Sequence, residues 1–393
     1  MKNRVKIPKL LFFQEGPGVR NYQYTTEGVK LLNVANLVNG NLDLSTSERY
    51  ISEEEAYGKY KHFLCDEGDL IIASSGIKVD YFDKKMGFVK PEHLPLCMNT
   101  STIRFKSLDR EVLDINYFMY FLKSQAFKKQ LARQITGSAQ LNFGPSHLSK
   151  MSFSLIDMED QINIVKQLGK IELIIEMKTK QIQEYDQLIK SRFVEMFGNP
   201  IKNDKEWKLK FLDEVCDVRD GTHDSPKYYN VGYPLITSKN ISNGNIDYST
   251  AQLICEEDYQ NINKRSKVDN GDILMPMIGT VGGAIIVRKE RDFAIKNVAL
   301  IKFNTKLVEN TFIKYVLNSD QMNLHFEDLK KGGTQKFIGL KTIRNLPIIV
   351  PPIKLQSQFA TFVQQVDKLK FEVQKSLDES QTLFDSLMQE YFG

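Results

Sequence analysis

The chain has 393 residues, 41% hydrophobic and 26% charged, which excludes a disordered or fibrous protein and leaves material for two or more domains. Lys and Arg total 53 against 49 Asp and Glu, so the net charge of +4 excludes a uniformly basic coat but not a locally basic face. Cys65, Cys97, Cys216 and Cys255 lie far apart without a C-x-x-C pair, against a zinc module or disulfide framework and in keeping with a reducing, cytoplasmic setting. No apolar run approaches 18 residues, and Met1-Lys2-Asn3-Arg4 is not followed by a long apolar core; neither a membrane span nor a signal peptide is expected.

In chain order, the first half opens with short β-branched runs separated by Gly and Asn. Asp69-Leu-Ile-Ile-Ala-Ser and Asn99-Thr-Ser-Thr-Ile-Arg-Phe105 read as strands, and Asn39-Gly40 as a hairpin turn. A helix is expected over 116–131, then a long helix whose stripe runs Leu168, Ile171, Ile175, Ile182, Tyr185, Ile189, Met196, with Lys178 and Arg192 interrupting it. Gly198-Asn199-Pro200 reads as its stop. The second half repeats the plan: strands at Asp272-Ile-Leu-Met, Gly283-Ala-Ile-Ile-Val287 and Ala299-Leu-Ile-Lys-Phe303, a turn at Asn243-Gly244, a helix over 310–324, and a long helix striped by Phe359, Phe362, Val366, Leu369 and Val373.

The repetition is direct. Asn36 and Asn39-Gly40-Asn41 match Asn240 and Asn243-Gly244-Asn245, and Gly68-Asp69-Leu70 matches Gly271-Asp272-Ile273. Glu195-Met-Phe-Gly198 matches Glu390-Tyr-Phe-Gly393. Each copy is far longer than a solenoid repeat, so this is a duplicated domain pair. A helix of about 40 residues would extend roughly 60 Å, beyond a small domain, and needs a partner helix; an antiparallel two-helix coil is expected. The positive excess lies in the mixed segments, while the two helical segments are net acidic.

Catalytic signatures are missing. There is no phosphate-binding G-x-x-x-x-G-K-[ST] loop, no H-E-x-x-H, no G-x-S-x-G, and the one Pro-Pro, Pro351-Pro352, has no amide or acid before it. The histidines His62, His93, His147, His223 and His325 show no metal spacing, so no metal site is expected. A stand-alone DNA-modifying enzyme, methyltransferase or nuclease, is the alternative that these absences disfavour.

The chain resembles the specificity (S) subunit of type I restriction-modification systems. The resemblance rests on Glu15-Gly-Pro-Gly-Val-Arg20, Arg219-Asp-Gly-Thr-His-Asp-Ser-Pro-Lys-Tyr228, Gly333-Thr-Gln-Lys-Phe-Ile, Leu346-Pro-Ile-Ile-Val-Pro-Pro352 and, most typically, Ser191-Arg-Phe-Val-Glu-Met-Phe-Gly-Asn-Pro200. It implies an α+β chain in which two duplicated α/β target recognition domains, residues 1–157 and 199–352, are separated by two long antiparallel spacer helices, 158–198 and 353–393, about a pseudo-two-fold. It also implies a non-catalytic subunit that binds a bipartite double-stranded DNA site and directs two methyltransferase subunits, with restriction subunits in the full complex. S-adenosylmethionine, ATP and Mg would then sit on the partners, with no cofactor in this chain.

Base reading needs donors and acceptors in loops. The candidates are Arg20, Lys78, Gln140 and Asn142 in the first copy, and His223, Lys239, Gln335 and Lys336 in the second. Residues that match across copies are expected to be structural: Asn36 and Asn240 satisfying turn backbone, Asp69 and Asp272 holding turns. Ile164, Leu173 and Ile174 in the first long helix, with Val363 and Phe371 in the second, lie off the stripe and are the candidate contacts for the methyltransferase subunits.

Overall fold

A computed structural model describes residues 3–134, 141–242, 244–277, 283–330 and 337–393. It divides into two compact units: unit 1 comprises Met1–Lys178 and Ser376–Gly393, unit 2 comprises Thr179–Lys375.

Unit 1 holds a four-stranded antiparallel sheet in the order Leu11–Glu15, Thr102–Ser107, Leu70–Ala73, Met86–Phe88. A second sheet runs Leu96–Met98, Val29–Leu32, Tyr50–Ile51, its first pair parallel. Asn3–Lys6 pairs antiparallel with Ser152–Leu155. Unit 2 reproduces this order. Its four-stranded sheet is Asp217–Asp220, Val298–Lys302, Ile273–Pro276, Ile285–Ile286. Its three-stranded sheet is Ala294–Ile295, Tyr233–Ile236, Gln252–Ile254, again with the first pair parallel, and Lys208–Phe211 pairs with Pro347–Val350. The wholly buried runs at Leu70–Ala73 and Ile273–Pro276 explain why these strands read as continuous apolar stretches rather than alternating ones.

The expected Asn-Gly hairpin forms: Leu37–Val38 pairs with Asn41–Leu42, and Asn39 and Gly40 take φ of 49° and 82°, as a two-residue primed turn requires. The expected single helices each divide in two. Ile115–Lys123 is followed by Gln125–Gln134, and Asn310–Leu317 by Asp320–Lys330. In both, a serine makes the break: Ser124 Oγ accepts from the Phe127 N–H, and Ser319 Oγ accepts from the Met322 N–H. A serine hydroxyl that caps a new first turn outcompetes continuation of the old helix.

The long helices span Met158–Phe197 and Ile353–Phe392, and the first ends at Gly198 with φ of 74°. Inside unit 1 the two segments run antiparallel: Tyr391 Oη donates to Gln167 Oε1 at 2.7 Å, and Lys178 Nζ donates to Ser376 O, Ser376 Oγ and Ser380 Oγ at 2.9, 2.7 and 2.8 Å. Lys178 is therefore a polar member of the seam rather than an interruption. Inside unit 2 the segments are also antiparallel, through Asp186 with Lys370 and the rings of Phe193 and Phe359 at 5.6 Å. The last turn of each helix is a core element. Phe197 lies 4.8 Å from Phe312 in unit 2, and Phe392 lies 5.0 Å from Tyr117 in unit 1. The same spacing in both copies explains the repeated Met-Phe-Gly and Tyr-Phe-Gly signatures.

Burial corrects two of the candidate partner contacts. Val363 is only 4% exposed and belongs to the unit 2 core, one turn from buried Phe359 and Val366. Ile164 packs on the unit 1 core one turn before buried Leu168. Both fall on the face that meets the domain, because residues three or four apart share a helix face. Leu173, Ile174 and Phe371 are exposed, at 55%, 43% and 67%.

Candidate nucleic-acid interface

The shared framework is built from residues that match across the repeat. Asn36 is fully buried; its Oδ1 accepts from the Asn33 N–H and its Nδ2 donates to Asp43 O and Thr46 Oγ1. Asn240 does the same work, accepting from Thr237 N–H and donating to Thr250 Oγ1. Asp69 accepts from the Asp66 N–H and is paired with Arg104 and Lys106; Asp272 accepts from the Asp269 N–H and is paired with Lys302. Burial outweighs these bonds at Asp69 and raises its pKa. These four positions organise turns and offer nothing free to a ligand.

Variation sits on top of that framework. The turn ordered by Asn240 presents exposed Lys239; the turn ordered by Asn36 presents Ala35 at the matching place. Lys78 follows strand Ser75–Ile77, which pairs with Leu141–Asn142; Asn142 stands opposite Ser75, so Lys78 and Asn142 belong to one two-stranded ribbon of unit 1 while Arg20 stands on a separate loop. No hydrogen bond or ion pair engages the Arg20, Lys78 or Lys239 side-chain cations among the described residues. Gln140, Gln335 and Lys336 lie outside the described residues.

His223 sits in a built cluster. Asp220, at the end of strand Asp217–Asp220, is 7% exposed; its Oδ2 lies 2.8 Å from His223 Nε2 and its Oδ1 takes Arg265 at 2.5 Å. His223 Nδ1 lies 2.7 Å from Asn297 Oδ1. Both ring nitrogens thus face oxygen acceptors, which favours the doubly protonated imidazolium. The Asn297 contact, then Asp220, raises the His223 pKa above its usual 6.5, with burial and Arg265 opposing. A raised folded-state value means that the contribution of this cluster is complete below the unfolded value and is lost as pH rises through the folded one. The prediction is a His223 imidazole that titrates above 6.5 by NMR and falls back toward the ordinary value in Asn297→Ala. Raising pH through that transition should speed proteolysis at Lys227, and an unshifted titration would refute the cluster's role.

Asp220, Arg265 and Asn297 escaped sequence reading because they come from a strand end, a helix end and a turn far apart in the chain. Gln161 and Gln356 were also missed, although they match across the repeat. Gln161 Oε1 accepts from Asp114 N–H while its Nε2 donates to Val112 O and Ile156 O; Gln356 binds Glu309 N–H, Leu307 O and Pro351 O in the same way. The cysteines are free, and burial pushes Cys97 and Cys216 up to about 12, so neither is a ready thiolate. Among the described residues no cluster of three or more His, Cys, Asp or Glu could hold a metal, and no helix is long and apolar enough to cross a membrane.

One framework is built twice, with different polar and basic residues on its loops, and so defines a protein of two similar but non-identical domains. The family model of the type I restriction modification DNA specificity domain matches twice, at residues 20–186 and 204–380, and the chain belongs to that family. The EcoKI specificity subunit of Escherichia coli K12 is 20% identical over 354 residues, 82% of this chain and 74% of the relative. The EcoBI specificity subunit of Escherichia coli is 23% identical over 400 residues, 93% of this chain and 80% of the relative. Among solved structures, the type I S subunit from M. genitalium covers 100% of this chain and 96% of its own at 14% identity and a TM-score of 0.56. A chain from a type I R-M structure, solved to explain complex assembly and conformational transition, covers 99% and 97% at 16% identity and a TM-score of 0.62. These two likenesses establish the fold.

Proposed function

We propose that each unit reads one half of a bipartite double-stranded DNA site and that the chain carries this specificity to two methyltransferase subunits, with restriction subunits joining for cleavage. The observation that carries the reading is the shared strand order beneath exchanged loop residues, Ala35 in one copy and Lys239 in the other. Identical frameworks approach similar DNA geometry; different loop donors select different bases. Arg20, Lys78 and Asn142 in one unit, with Lys239 in the other, lie on loops or edge strands and are proposed for such contacts; His223, its ring held by Asp220 and Asn297, positions its loop, and Gln140, Gln335 and Lys336 complete the set proposed for it. The chain performs no chemistry itself; S-adenosylmethionine, ATP and Mg belong to its partners, and the complex acts in the cytoplasm.

Exchange of residues 205–345 for the equivalent segment of a relative tests the reading. The motif recovered from a randomised duplex pool, or methylated in a host that carries the partner, should change in one half and persist in the other. Loss of specificity in both halves would refute independent reading.

A further inference from the structure

Two loops occupy the same place in their units: 16–28 in unit 1 and 221–232 in unit 2. Each is fixed at both ends by backbone packed against backbone. At the first end, a Cβ on Gly16 would sit 2.0 Å from Asn99 O, and one on Gly221 would sit 2.2 Å from Ile295 O. At the second, Gly28 and Gly232 take φ of 120° and 150°, and a Cβ would meet Ile51 O at 2.3 Å and Ile254 O at 2.1 Å. No side chain fits such approaches, so the loop ends are held by glycine.

The loop of unit 2 is tied down further. Thr222 N–H donates to Ile295 O, Asn297 N–H donates to Thr222 O, and Tyr229 N–H donates to Leu253 O. Lys296 Nζ donates to Ser225 Oγ at 2.5 Å, and the Asp220–His223–Asn297–Arg265 cluster braces the loop from behind. Beyond these ties the loop turns apolar and aromatic groups outward. Val231 is 85% exposed, Tyr228 and Tyr229 are 45% and 42% exposed, and the Lys227 ammonium sits 5.6 Å from the Tyr229 ring centre. In unit 1 the corresponding loop exposes Tyr22 by 86%, next to Arg20, whose guanidinium has no partner among the described residues. Tyr22 and Val231 are the two most exposed large apolar side chains among the described residues, one on each loop.

We infer that the 221–232 loop is a rigid reading loop whose Lys227, Tyr228 and Val231 meet duplex DNA, with Tyr22 the counterpart in unit 1. The inference rests on the DNA reading proposed above and names its residues. Duplex DNA is the occupant because exposed Lys227 on the loop and Lys296, whose ammonium reaches Ser225 on it, outnumber Asp224, the one acid among residues 221–232, while Arg265 is matched by Asp220. Lysines meet phosphates and fix register, while an apolar tip meets a thymine methyl or a base step. A loop already rigid before binding loses little entropy on docking. His223 is a positioning residue: it touches Asp220 and Asn297, not the tip.

The test selects bound sequences from a randomised duplex pool with the full chain. Val231→Ser and Tyr228→Ala should relax one half of the motif with roughly tenfold weaker discrimination, and Tyr22→Ala should relax the other half. Lys227→Ala should instead weaken all duplexes about equally and shallow the salt dependence. His223→Gln should flatten the pH dependence of duplex affinity. If the tip variants enrich the unaltered motif in both halves, the inference is overturned; failure of the parent chain to enrich any motif would overturn the DNA reading itself. Should a tip variant melt early, near-isosteric Val231→Thr replaces it in the same selection, with the same relaxed half-motif expected.

Discussion

Replacing Gln161 by leucine should destabilise unit 1 by about 3–5 kcal/mol, since three backbone groups lose their partners in a buried setting at about 1–3 kcal/mol each. Gln161 is fully buried near the start of the central helix. Its amide closes the Asp114 N–H, the Val112 carbonyl and the Ile156 carbonyl at 3.0, 3.0 and 2.8 Å. Leucine matches its size but answers none of them. Gln356→Leu should do the same to unit 2, where the amide closes Glu309 N–H, Leu307 O and Pro351 O. Urea unfolding followed by circular dichroism measures both. A loss below about 0.5 kcal/mol, the range of an ordinary surface substitution, would show that these glutamines do not tie helix to domain.

Introducing a carboxylate at both Leu173 and Ile174 should abolish co-purification with the methyltransferase subunit while the isolated chain keeps its helical circular dichroism. Both side chains are about half exposed, and Met177 one turn on is 62% exposed, so unit 1 leaves an apolar strip on an otherwise polar helix. In unit 2, Leu369 and Phe371 are likewise exposed. Such strips cost a solitary helix pair solubility, and a partner that covers them gains the burial. Two carboxylates placed there would need desolvation on docking, a far larger penalty than the loss of two apolar contacts. A stable complex with Leu173→Glu and Ile174→Glu would remove this surface from the assembly.

The duplication was legible because it is written in residues that can be nothing else. Gly28 and Gly232 hold φ of 120° and 150°, Asn36 and Asn240 close their own turns, and Asp69 and Asp272 cap theirs. Each is a local constraint, satisfied within a few residues or by a single close approach. The long helices were legible for a similar reason: an apolar stripe at 3/4 spacing that runs without Pro or Gly from Ile171 to Phe197 and from Phe359 to Phe392 is a one-dimensional signal.

The breaks at Ser124 and Ser319 were not, because serine is tolerated inside a helix as well as at its start. The exposed off-stripe surface also needed the fold. Val363 and Phe371 both lie off the same stripe, yet one is buried and the other open, since only the domain packed beside the helix decides which off-stripe face is covered. The His223 cluster gathers Asp220, Arg265 and Asn297 from three elements, and no spacing in the chain announces that meeting. Sequence by itself determined the duplication, the turns and the two helices, for their causes are short-range. Tertiary structure alone decided which lysine, tyrosine or valine stands exposed on a fixed loop, because exposure is a property of what packs around a residue and not of the residue.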